Sequence, residues 1–293
     1  MKKKIVIGIG EILWDLLPDG KQLGGAPANF VWHAQQLGAE GTVVSAVGDD
    51  ELGDEIRNII KEKALGNGIS VSEMPTGTVS VELRNGIPDY IIHENVAWDF
   101  IELNDLAREK TSQAEAICFG SLAQRSEVSA KNIRIALDSA PDECLKIFDI
   151  NLRQAFYSKE IIEASLKRAN VFKINDEELF IVREMFGVSG TDQEVCRELM
   201  ELFDLKLVAL TGGEEGSMLI SKEEKSEIKT PKVEVADTIG AGDSFSAALA
   251  MGMLEGLPLK KIHSRAVTLS AFVCTQNGAT PVIPNDLFQQ ALL

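Results

Sequence analysis

The sequence predicts an α/β fold: a three-layer, doubly wound, mostly parallel sheet accompanied by a small β-sheet. The main observation is that short, continuously apolar segments alternate with helix-length segments along the chain. Continuous apolar character is typical of parallel strands that are buried on both faces. A second observation is one stretch in which apolar and polar residues alternate, which indicates half-buried β-structure outside the parallel sheet.

The predicted elements follow one another in the order that successive βαβ units require. The strands are expected at 4–10, 42–47, 116–119, 146–150, 171–174 and 207–211. Two helices are indicated by apolar residues that share one helical face, namely Ala26, Phe30, Ala34 and Leu37, and then Leu52, Ile56, Ile59 and Ile60. Later helices are expected at about 159–169, 176–186, 192–203, 242–255 and 259–276.

The alternating stretch at 79–84 is followed by Asn85-Gly86 and then by the apolar segment 90–92. Asn-Gly favours a tight hairpin turn, so these residues predict a β-hairpin. We place it in a small accessory sheet, and the alternative is an edge hairpin of the main sheet. Because no repeat, low-complexity segment or long linker interrupts the chain, residues 1–293 are expected to form one domain.

Composition excludes several classes of function. With 45% hydrophobic and 25% charged residues, the 293-residue chain is typical of a globular protein and not of a disordered one. The net charge is −16, and no basic cluster follows Lys2-Lys3-Lys4, so we expect no nucleic-acid partner. No apolar run approaches the ~20 residues that span a bilayer, so we expect no membrane partner.

The cysteines and histidines point to a cytoplasmic protein without a zinc site. Four cysteines occur without a CxxC pair, which indicates buried thiols in a reducing compartment. The three histidines form no zinc-binding spacing. A secretory signal is the alternative for the N-terminus, but Glu11 and Asp15 interrupt the sequence after the apolar run at 5–10.

The strongest local signal is a glycine-rich turn that leads into an alanine-rich helix. Gly240, Ala241 and Gly242 would present backbone N–H groups at the positive end of that helix, which is a favourable place for an anion. The next residue, Asp243, has two interpretations. It either stabilises the helix N-terminus or takes a proton from an attacking hydroxyl beside a bound phosphate. The residues alone leave both open.

Other nucleotide-binding and hydrolase motifs are absent from the sequence. There is no GxxxxGK[ST] and no GxSxG. Gly8 and Gly10 begin a dinucleotide fingerprint, but Leu13 stands where its third glycine belongs and 11–20 does not have a helical pattern. A Rossmann dehydrogenase is therefore disfavoured.

A second cluster comprises Gly24, Gly25 and Asn29 at the start of the first predicted helix, with Asp15 shortly before it. The two glycines would let a ligand approach the backbone, and Asn29 offers both a donor and acceptors. Asp15 follows the first strand, at the sheet edge where ligands bind in open α/β folds. The competing interpretation is an ordinary loop-to-helix junction beside a solvated aspartate.

Further polar residues follow the later strands. Asn175 and Glu178 either stabilise a helix N-terminus or help to hold a hydrated Mg²⁺. The glycine-rich segment 211–216 is either a strand-ending turn or a backbone wall for a nucleotide, and Arg153 either binds a phosphate or substrate or pairs with a surface acid. Because the clusters follow successive strands, they should converge on one edge of the sheet, which favours the functional interpretations.

Together these motifs resemble those of the ribokinase-like (PfkB) carbohydrate kinases, over nearly the whole chain. The segment 237–243 resembles the C-terminal signature of the family, and 24–29 resembles the N-terminal signature. Asn175-x-x-Glu178 is similar to the metal-associated motif, and Thr211-x-Gly213-x-x-Gly216 is similar to the nucleotide loop. Asn151-Leu152-Arg153 and the segment 94–99 resemble the bacterial fructokinases most closely.

The resemblance implies ATP-dependent phosphorylation of a sugar hydroxyl and assigns a role to each motif. Asp243 would be the general base, and the backbone of Gly240, Ala241 and Gly242 would form the anion hole. The remaining roles fall to the sugar-binding residues Asp15, Gly24, Gly25, Asn29 and Arg153, the nucleotide-binding residues Asn175, Thr211, Gly213 and Gly216, and the cation-associated residues Glu178 (Mg²⁺, through water) and Asp237 (a possible K⁺).

The resemblance also implies a β-lid formed by about 11–23 and 77–99 and a homodimer that associates through this lid. Within the lid, Trp98 would either stack on the sugar or belong to the core. Ala26-Pro27 stands where ribokinases carry Lys-Gly, which disfavours ribose. The favoured substrate is D-fructose, and the runner-up is 2-keto-3-deoxygluconate, whose carboxylate Arg153 would suit. A non-catalytic sugar or nucleotide sensor on the same fold is the alternative of a different class.

Overall fold

The computed structural model describes residues 2–17, 20–84 and 87–290, in which fifteen strands and ten α-helices form. The strands are β1 Ile5–Ile9, β2 Leu13–Leu17, β3 Gly20–Gly24, β4 Glu40–Val44, β5 Ala46–Gly48, β6 Gly66–Asn67, β7 Ser70–Ser72, β8 Thr78–Arg84, β9 Ile87–Ile92, β10 Ala116–Phe119, β11 Leu145–Asp149, β12 Val171–Asn175, β13 Leu207–Thr211, β14 Ser217–Ser221 and β15 Lys225–Ile228. The helices are α1 Ala26–Gln36, α2 Glu51–Glu62, α3 Asp105–Thr111, α4 Glu127–Ser139, α5 Lys159–Leu166, α6 Asp176–Phe186, α7 Asp192–Leu202, α8 Ala241–Leu254, α9 Leu259–Cys274 and α10 Leu287–Gln290.

The main sheet has the strand order β15-β14-β13-β12-β11-β10-β1-β4-β6 within the described residues. Its strands are parallel from β13 to β6, whereas β14 pairs antiparallel with β13 and β15 pairs antiparallel with β14. One face packs against α4, α5, α6 and α7, and the other packs against α1, α2, α8 and α9. The predicted three-layer, mostly parallel architecture is confirmed, because strands such as β1 and β10 bury every residue beneath helices on both faces.

The predicted strand at 42–47 is wrong in one respect, because two separate strands occupy this segment. β4 ends at Val44 in the main sheet, whereas β5 pairs with β7 in a separate two-stranded sheet. The chain leaves the main sheet at Ser45, whose hydroxyl donates a hydrogen bond of 2.6 Å to the carbonyl of Gly10. Because every residue from 41 to 48 is buried, the apolar pattern contained no sign of the break.

Several elements were not predicted, and their sequences explain why. The buried face of α4 consists largely of small residues, including Ser129, Ala130 and Ala136, so its apolar periodicity is faint. α3 has only seven residues. β14 and β15 form an antiparallel edge in which polar residues frame the buried ones, and this pattern differs from that of the inner strands.

The small sheet, with the strand order β3-β2-β8-β9, is separate from the main sheet. β8 and β9 pair in antiparallel fashion from Val79 opposite Ile92 to Arg84 opposite Ile87, so the predicted hairpin is confirmed and belongs to the accessory sheet. Its predicted turn, Asn85-Gly86, lies outside the described residues. Trp98 follows in a 3₁₀ helix and is 1% exposed, which confirms that it is a core residue.

The cysteines are free thiols throughout the chain: Cys118, Cys144 and Cys196 are buried, and Cys274 is half-buried. The expectation of buried thiols therefore holds for three of the four positions. In the ranges 2–17, 20–84 and 87–290, no helix is long and apolar enough to cross a membrane.

Candidate active site

The predicted site residues meet where the carboxyl ends of the inner strands approach the N-terminus of α8. Strand register brings together two motifs that are far apart in sequence, since Asn175 on β12 lies directly opposite Thr211 on β13. Asp149, at the end of β11, lines a small cavity together with Asp243 and Pro27. This cavity has a volume of about 10 Å³, which is room for one water molecule.

Asp243 lies in the first turn of α8, whose N-cap position is occupied by Gly240. Its Oδ2 accepts a hydrogen bond of 2.8 Å from Nδ2 of Asn29 on α1. Burial and the nearby charge of Asp149 raise the pKa of the Asp243 carboxyl to about 6. The hydrogen bond from Asn29 and the positive charges of Lys173 and Arg153 partly oppose this rise. The motif around Asp243 does not indicate this shift, because burial cannot be read from it. A carboxylate with a pKa near 6 is a better base than an ordinary aspartate.

The predicted anion hole has the required turn geometry, although one of its donors is engaged. Gly240 adopts φ = 79°, and an added Cβ would lie 2.5 Å from the carbonyl oxygen of Ala279, so only glycine fits. The N–H of Ala241 donates a hydrogen bond of 3.3 Å to the carbonyl of Thr238. The N–H groups of Gly242 and Asp243 stand in the first helical turn, where an α-helix offers no internal acceptor. These two groups are the better placed donors for an anion.

Asp15 belongs to β2 of the small sheet, so the predicted sugar-binding cluster is shared between the two sheets. An added Cβ on Gly24 would lie 2.4 Å from Oδ2 of Asp15, which shows that the glycine leaves room for this carboxylate. Burial raises the pKa of Asp15, and the positive charge of Arg153 opposes that shift. Gly25, with φ = 121°, packs against the carbonyl of Glu11 and begins α1.

Glu11 is a polar residue of this site that the sequence interpretation missed. It is 4% exposed, and its Oε2 has no hydrogen-bond partner in the part of the chain that the structure describes. Burial raises its pKa to about 7. The negative charge of Asp243 adds to this rise, and the positive charge of Arg153 opposes it. The available signal was an acidic residue directly after a continuously apolar strand, at the edge where ligands bind.

Arg153 is exposed on the loop after β11, and its positive charge opposes the rise in the pKa of Glu11, Asp15 and Asp243 that burial causes. Its neighbour Gln154 donates a hydrogen bond of 2.5 Å to the carbonyl of Tyr90 in β9. The loop that carries Arg153 therefore contacts the small sheet as well as the main sheet.

Asn175 and Glu178 form a capping box at the start of α6. Oδ1 of Asn175 accepts a hydrogen bond of 2.8 Å from the N–H of Glu178, and Oε2 of Glu178 accepts one of 2.9 Å from the N–H of Asn175. Oε1 of Glu178 accepts a third hydrogen bond from the N–H of Leu152, at 2.8 Å. The helix-stabilising interpretation is therefore correct, and it does not exclude the other one.

These residues fit a hydrated Mg²⁺ better than a directly ligated ion. Both carboxylate oxygens of Glu178 are engaged by backbone N–H groups, but each retains a lone pair that can accept a hydrogen bond from a water molecule. Mg²⁺ usually keeps several of its waters. Among the described residues, no group of three or more His, Cys, Asp or Glu side chains is arranged to hold a metal ion directly.

The predicted nucleotide loop connects β13 to β14. Gly213 has φ = 51° and Gly216 has φ = 127°, and an added Cβ on Gly216 would lie 2.6 Å from the carbonyl of Ile228. A groove of about 780 Å³ runs beside this loop, and its lining includes the acids Asp176, Asp192, Glu215 and Glu227. These acids disfavour phosphate, so the N-terminus of α8 is the better phosphate site.

Asp237 connects the two loops that flank the start of α8. Its Oδ1 accepts a hydrogen bond of 3.0 Å from the N–H of Ile239, and its Oδ2 accepts one of 3.2 Å from the N–H of Gly278. The carboxylate thus joins the glycine-rich turn to the segment after α9, the region where the resemblance implies a monovalent cation.

Comparison with known proteins shows which family the chain resembles. The model of the pfkB family carbohydrate kinases matches residues 19–286. A sugar kinase of Pyrococcus horikoshii is 30% identical, with 94% of this chain and 91% of that protein covered. "Probable fructokinase-4" of Arabidopsis thaliana is 28% identical, with 100% of this chain and 97% of that protein covered.

Solved structures are similar over the same length. The Pyrococcus horikoshii sugar kinase in complex with ATP superposes with a TM-score of 0.81 and covers 94% of each chain. Fructokinase with bound ATP from Xylella fastidiosa, at 22% identity, has a TM-score of 0.86 and covers 100% of each chain. These similarities confirm the predicted ribokinase-like fold.

Proposed function

The chain belongs to the pfkB family of carbohydrate kinases and is an ATP-dependent sugar kinase, and we propose that its substrate is D-fructose, which it converts to fructose 6-phosphate. The observation that carries this proposal is the position of Asp243. Its carboxylate, with a raised pKa, stands in the first turn of α8 and accepts a hydrogen bond from Asn29, one of the predicted sugar-binding residues. The curated fructokinase relatives support the choice of sugar.

The charge of the sugar site favours a neutral polyhydroxy substrate. Three carboxyl groups, those of Glu11, Asp15 and Asp243, are close enough to Arg153 for its single positive charge to affect their pKa values. Carboxylates accept hydrogen bonds from sugar hydroxyls, whereas they repel a substrate carboxylate. 2-Keto-3-deoxygluconate is the second candidate because Arg153 could pair with its carboxylate. The excess of acids makes this substrate the weaker fit.

The proposed mechanism uses the residues in the order in which charge develops. Asp243 accepts the proton of the attacking hydroxyl while that oxygen bonds to the γ-phosphorus and the bond to the ADP oxygen breaks. The N–H groups of Gly242 and Asp243, with those of Gly240 and Ala241 after the turn adjusts, stabilise the charge on the transferred group. Mg²⁺ bound to ATP would neutralise phosphate charge, and Asn175 and Glu178 would hold its waters.

The nucleotide would lie along the loop that contains Thr211, Gly213 and Gly216, with its phosphates directed to α8. The small sheet would act as a lid that excludes water, since it carries Asp15 and its strand β9 contacts Gln154. Residues 1–293 would form one kinase domain with this lid. A K⁺ site at Asp237 would stabilise the turn before α8.

We also propose a homodimer that associates through the small sheet. Leu16 on β2 and Tyr90 on β9 are 38% and 54% exposed, and the strand register places them on opposite faces of the small sheet. Burying either side chain against a second copy would remove apolar surface from water.

A panel of acceptors tests the proposed reaction. We expect ADP to form in the presence of ATP, Mg²⁺ and fructose, with kcat/KM higher for fructose than for ribose or 2-keto-3-deoxygluconate. A preference for 2-keto-3-deoxygluconate would reject fructose as the substrate. If ADP formed with none of the acceptors while ATP and a sugar still bound, the protein would be a sensor.

The rate should also depend on pH through Asp243. Because the base must be ionised, kcat/KM for the sugar should fall about tenfold per pH unit below about 6 and be constant above it. Glu11, whose pKa is about 7, supplies the control, since Glu11→Gln should leave the limb near 6 in place. A profile that is flat down to pH 4.5 would contradict the raised pKa of Asp243.

A further inference from the structure

A buried ion pair lies beneath the N-terminus of α8, and the proposed mechanism does not use it. Lys173 on β12 stands in register with Asp149 on β11. Nζ of Lys173 donates hydrogen bonds of 2.8 and 3.0 Å to Oδ1 and Oδ2 of Asp149. Both side chains are about one-tenth exposed, and such pairs are costly to bury, so the presence of this one calls for an explanation.

The pair is oriented with its positive end towards the anion hole. Ser246 donates a hydrogen bond of 2.8 Å to Oδ2 of Asp149, which holds the carboxylate one helical turn further along α8. Nζ of Lys173 lies beside Gly242, where an added Cβ would be 3.2 Å from it. Gly242 and Ser246 are four residues apart and therefore share the face of α8 that covers the pair.

Lys173 remains charged and has donor capacity to spare. Burial disfavours the ammonium, but the charge and hydrogen bonds of Asp149 outweigh this effect and raise the pKa of Lys173. An ammonium has three N–H donors, and the hydrogen bonds to Asp149 use two of them. Asp149 does not use the third donor, and Nζ lies 3.2 Å from the place that a Cβ on Gly242 would occupy.

We propose that Lys173 is a positioning residue for phosphoryl transfer: held by Asp149 and Ser246, it places a fixed positive charge behind Gly242 and strengthens the anion hole. The inference rests on the proposed function, because it needs a phosphoryl group at the N-terminus of α8. A fixed charge in a site from which water is excluded stabilises developing negative charge more than a solvated one would. The arrangement also explains glycine at 242, since a side chain there would crowd the ammonium.

Two variants separate the electrostatic role from a structural one. Lys173→Met removes the charge but leaves Asp149 buried without its partner, so it should also lower the unfolding temperature. The double variant Asp149→Asn/Lys173→Met has similar side-chain volumes and no charge at either of these two positions, so it should recover most of that stability. We expect kcat with the best sugar of the panel to remain about 10²-fold below wild type in both variants. KM for the sugar should change by less than about threefold, because Lys173 does not contribute to binding of the sugar in the ground state.

Binding of a transition-state mimic provides a readout that does not depend on turnover. In both variants, affinity for ADP with aluminium fluoride, measured with the same sugar and Mg²⁺, should fall by about 10²-fold. Affinity for ADP alone should stay within about threefold of wild type, because ADP has no group at the anion hole. The acid limb of kcat/KM should move to higher pH only in Lys173→Met, where Asp149 still acts on Asp243 and Lys173 no longer opposes it.

The result that would overturn the proposal is a double variant with wild-type kcat and wild-type affinity for the mimic. That outcome would mean that the pair only fills buried space. It differs from failure of the proposed function, in which the wild-type protein itself would form no ADP with any sugar.

Discussion

Asp243→Asn is expected to lower kcat by about 10³- to 10⁴-fold, the upper part of the range for loss of a general base. The amide cannot accept the proton of the attacking hydroxyl. It has nearly the shape of the carboxylate, however, and its oxygen can still accept the hydrogen bond from Nδ2 of Asn29. The fold and the binding of substrates should therefore persist. Because the pKa of Asp243 is raised mainly by burial, removing the charge should not lower the stability of the protein.

Sugar-dependent ADP production at pH 8 measures this effect, and calorimetric titration with ATP tests whether binding is retained. Asp138→Asn is a matched control, since it removes an aspartate charge from an exposed ion pair with Arg168 and should keep wild-type kcat. An Asp243→Asn variant whose kcat lies within tenfold of wild type would show that another group takes the proton. Glu11, which is buried nearby, would then be the next residue to replace.

The parallel sheet could be predicted because its strands are apolar on both faces, and this pattern needs no knowledge of tertiary contacts. Convergence of the polar clusters followed from the same pattern, since parallel strands end at one edge. The register of Asn175 opposite Thr211 agrees with that expectation. Elements with weaker local patterns, such as α4 with its small buried residues, could not be predicted in this way.

Contacts across long sequence separations were not predictable from the sequence. The hydrogen bond between Asn29 and Asp243 joins residues 214 positions apart, and the local sequence around either one also suits a helix N-terminus. The contact of Lys173 was not predictable either, because in the sequence of β12 it is simply a polar residue between apolar neighbours. The reason for a charged residue at this position is seen only in the sheet register, which places Lys173 against Asp149.

The pKa values depend on burial, which sequence motifs do not report. Glu11 and Asp243 are both acids next to glycine-containing turns, and their ordinary pKa values would lie near 4. Desolvation raises them to about 7 and about 6. The net charge of −16 is equally uninformative about the site, because the local N–H groups, Arg153 and Lys173 determine the potential that a phosphate meets.

Gly240→Ala is expected to lower kcat by about 10²- to 10³-fold, because it displaces the anion hole. Gly240 has φ = 79°, and a new Cβ would lie 2.5 Å from the carbonyl oxygen of Ala279. The turn must move to relieve this contact, and the N–H groups of Gly242 and Asp243 move with it. KM for the sugar should change little, since the sugar residues belong to other elements.

Gly256 is a matched control at the other end of the same helix. It has a similar φ of 68°, but an added Cβ there would meet no atom within 4 Å. Both alanine variants should therefore lose roughly 1–2 kcal/mol of stability from the left-handed conformation, and only Gly240→Ala should also lose activity. Equal kcat in the two variants would contradict this prediction. If kcat were lowered equally in both, backbone strain alone would explain the loss, and if both kept the wild-type kcat, the turn before α8 would not be an anion hole. If only Gly240→Ala lost kcat, and affinity for ADP with aluminium fluoride fell in parallel, then the position of these N–H groups would set the rate of phosphoryl transfer.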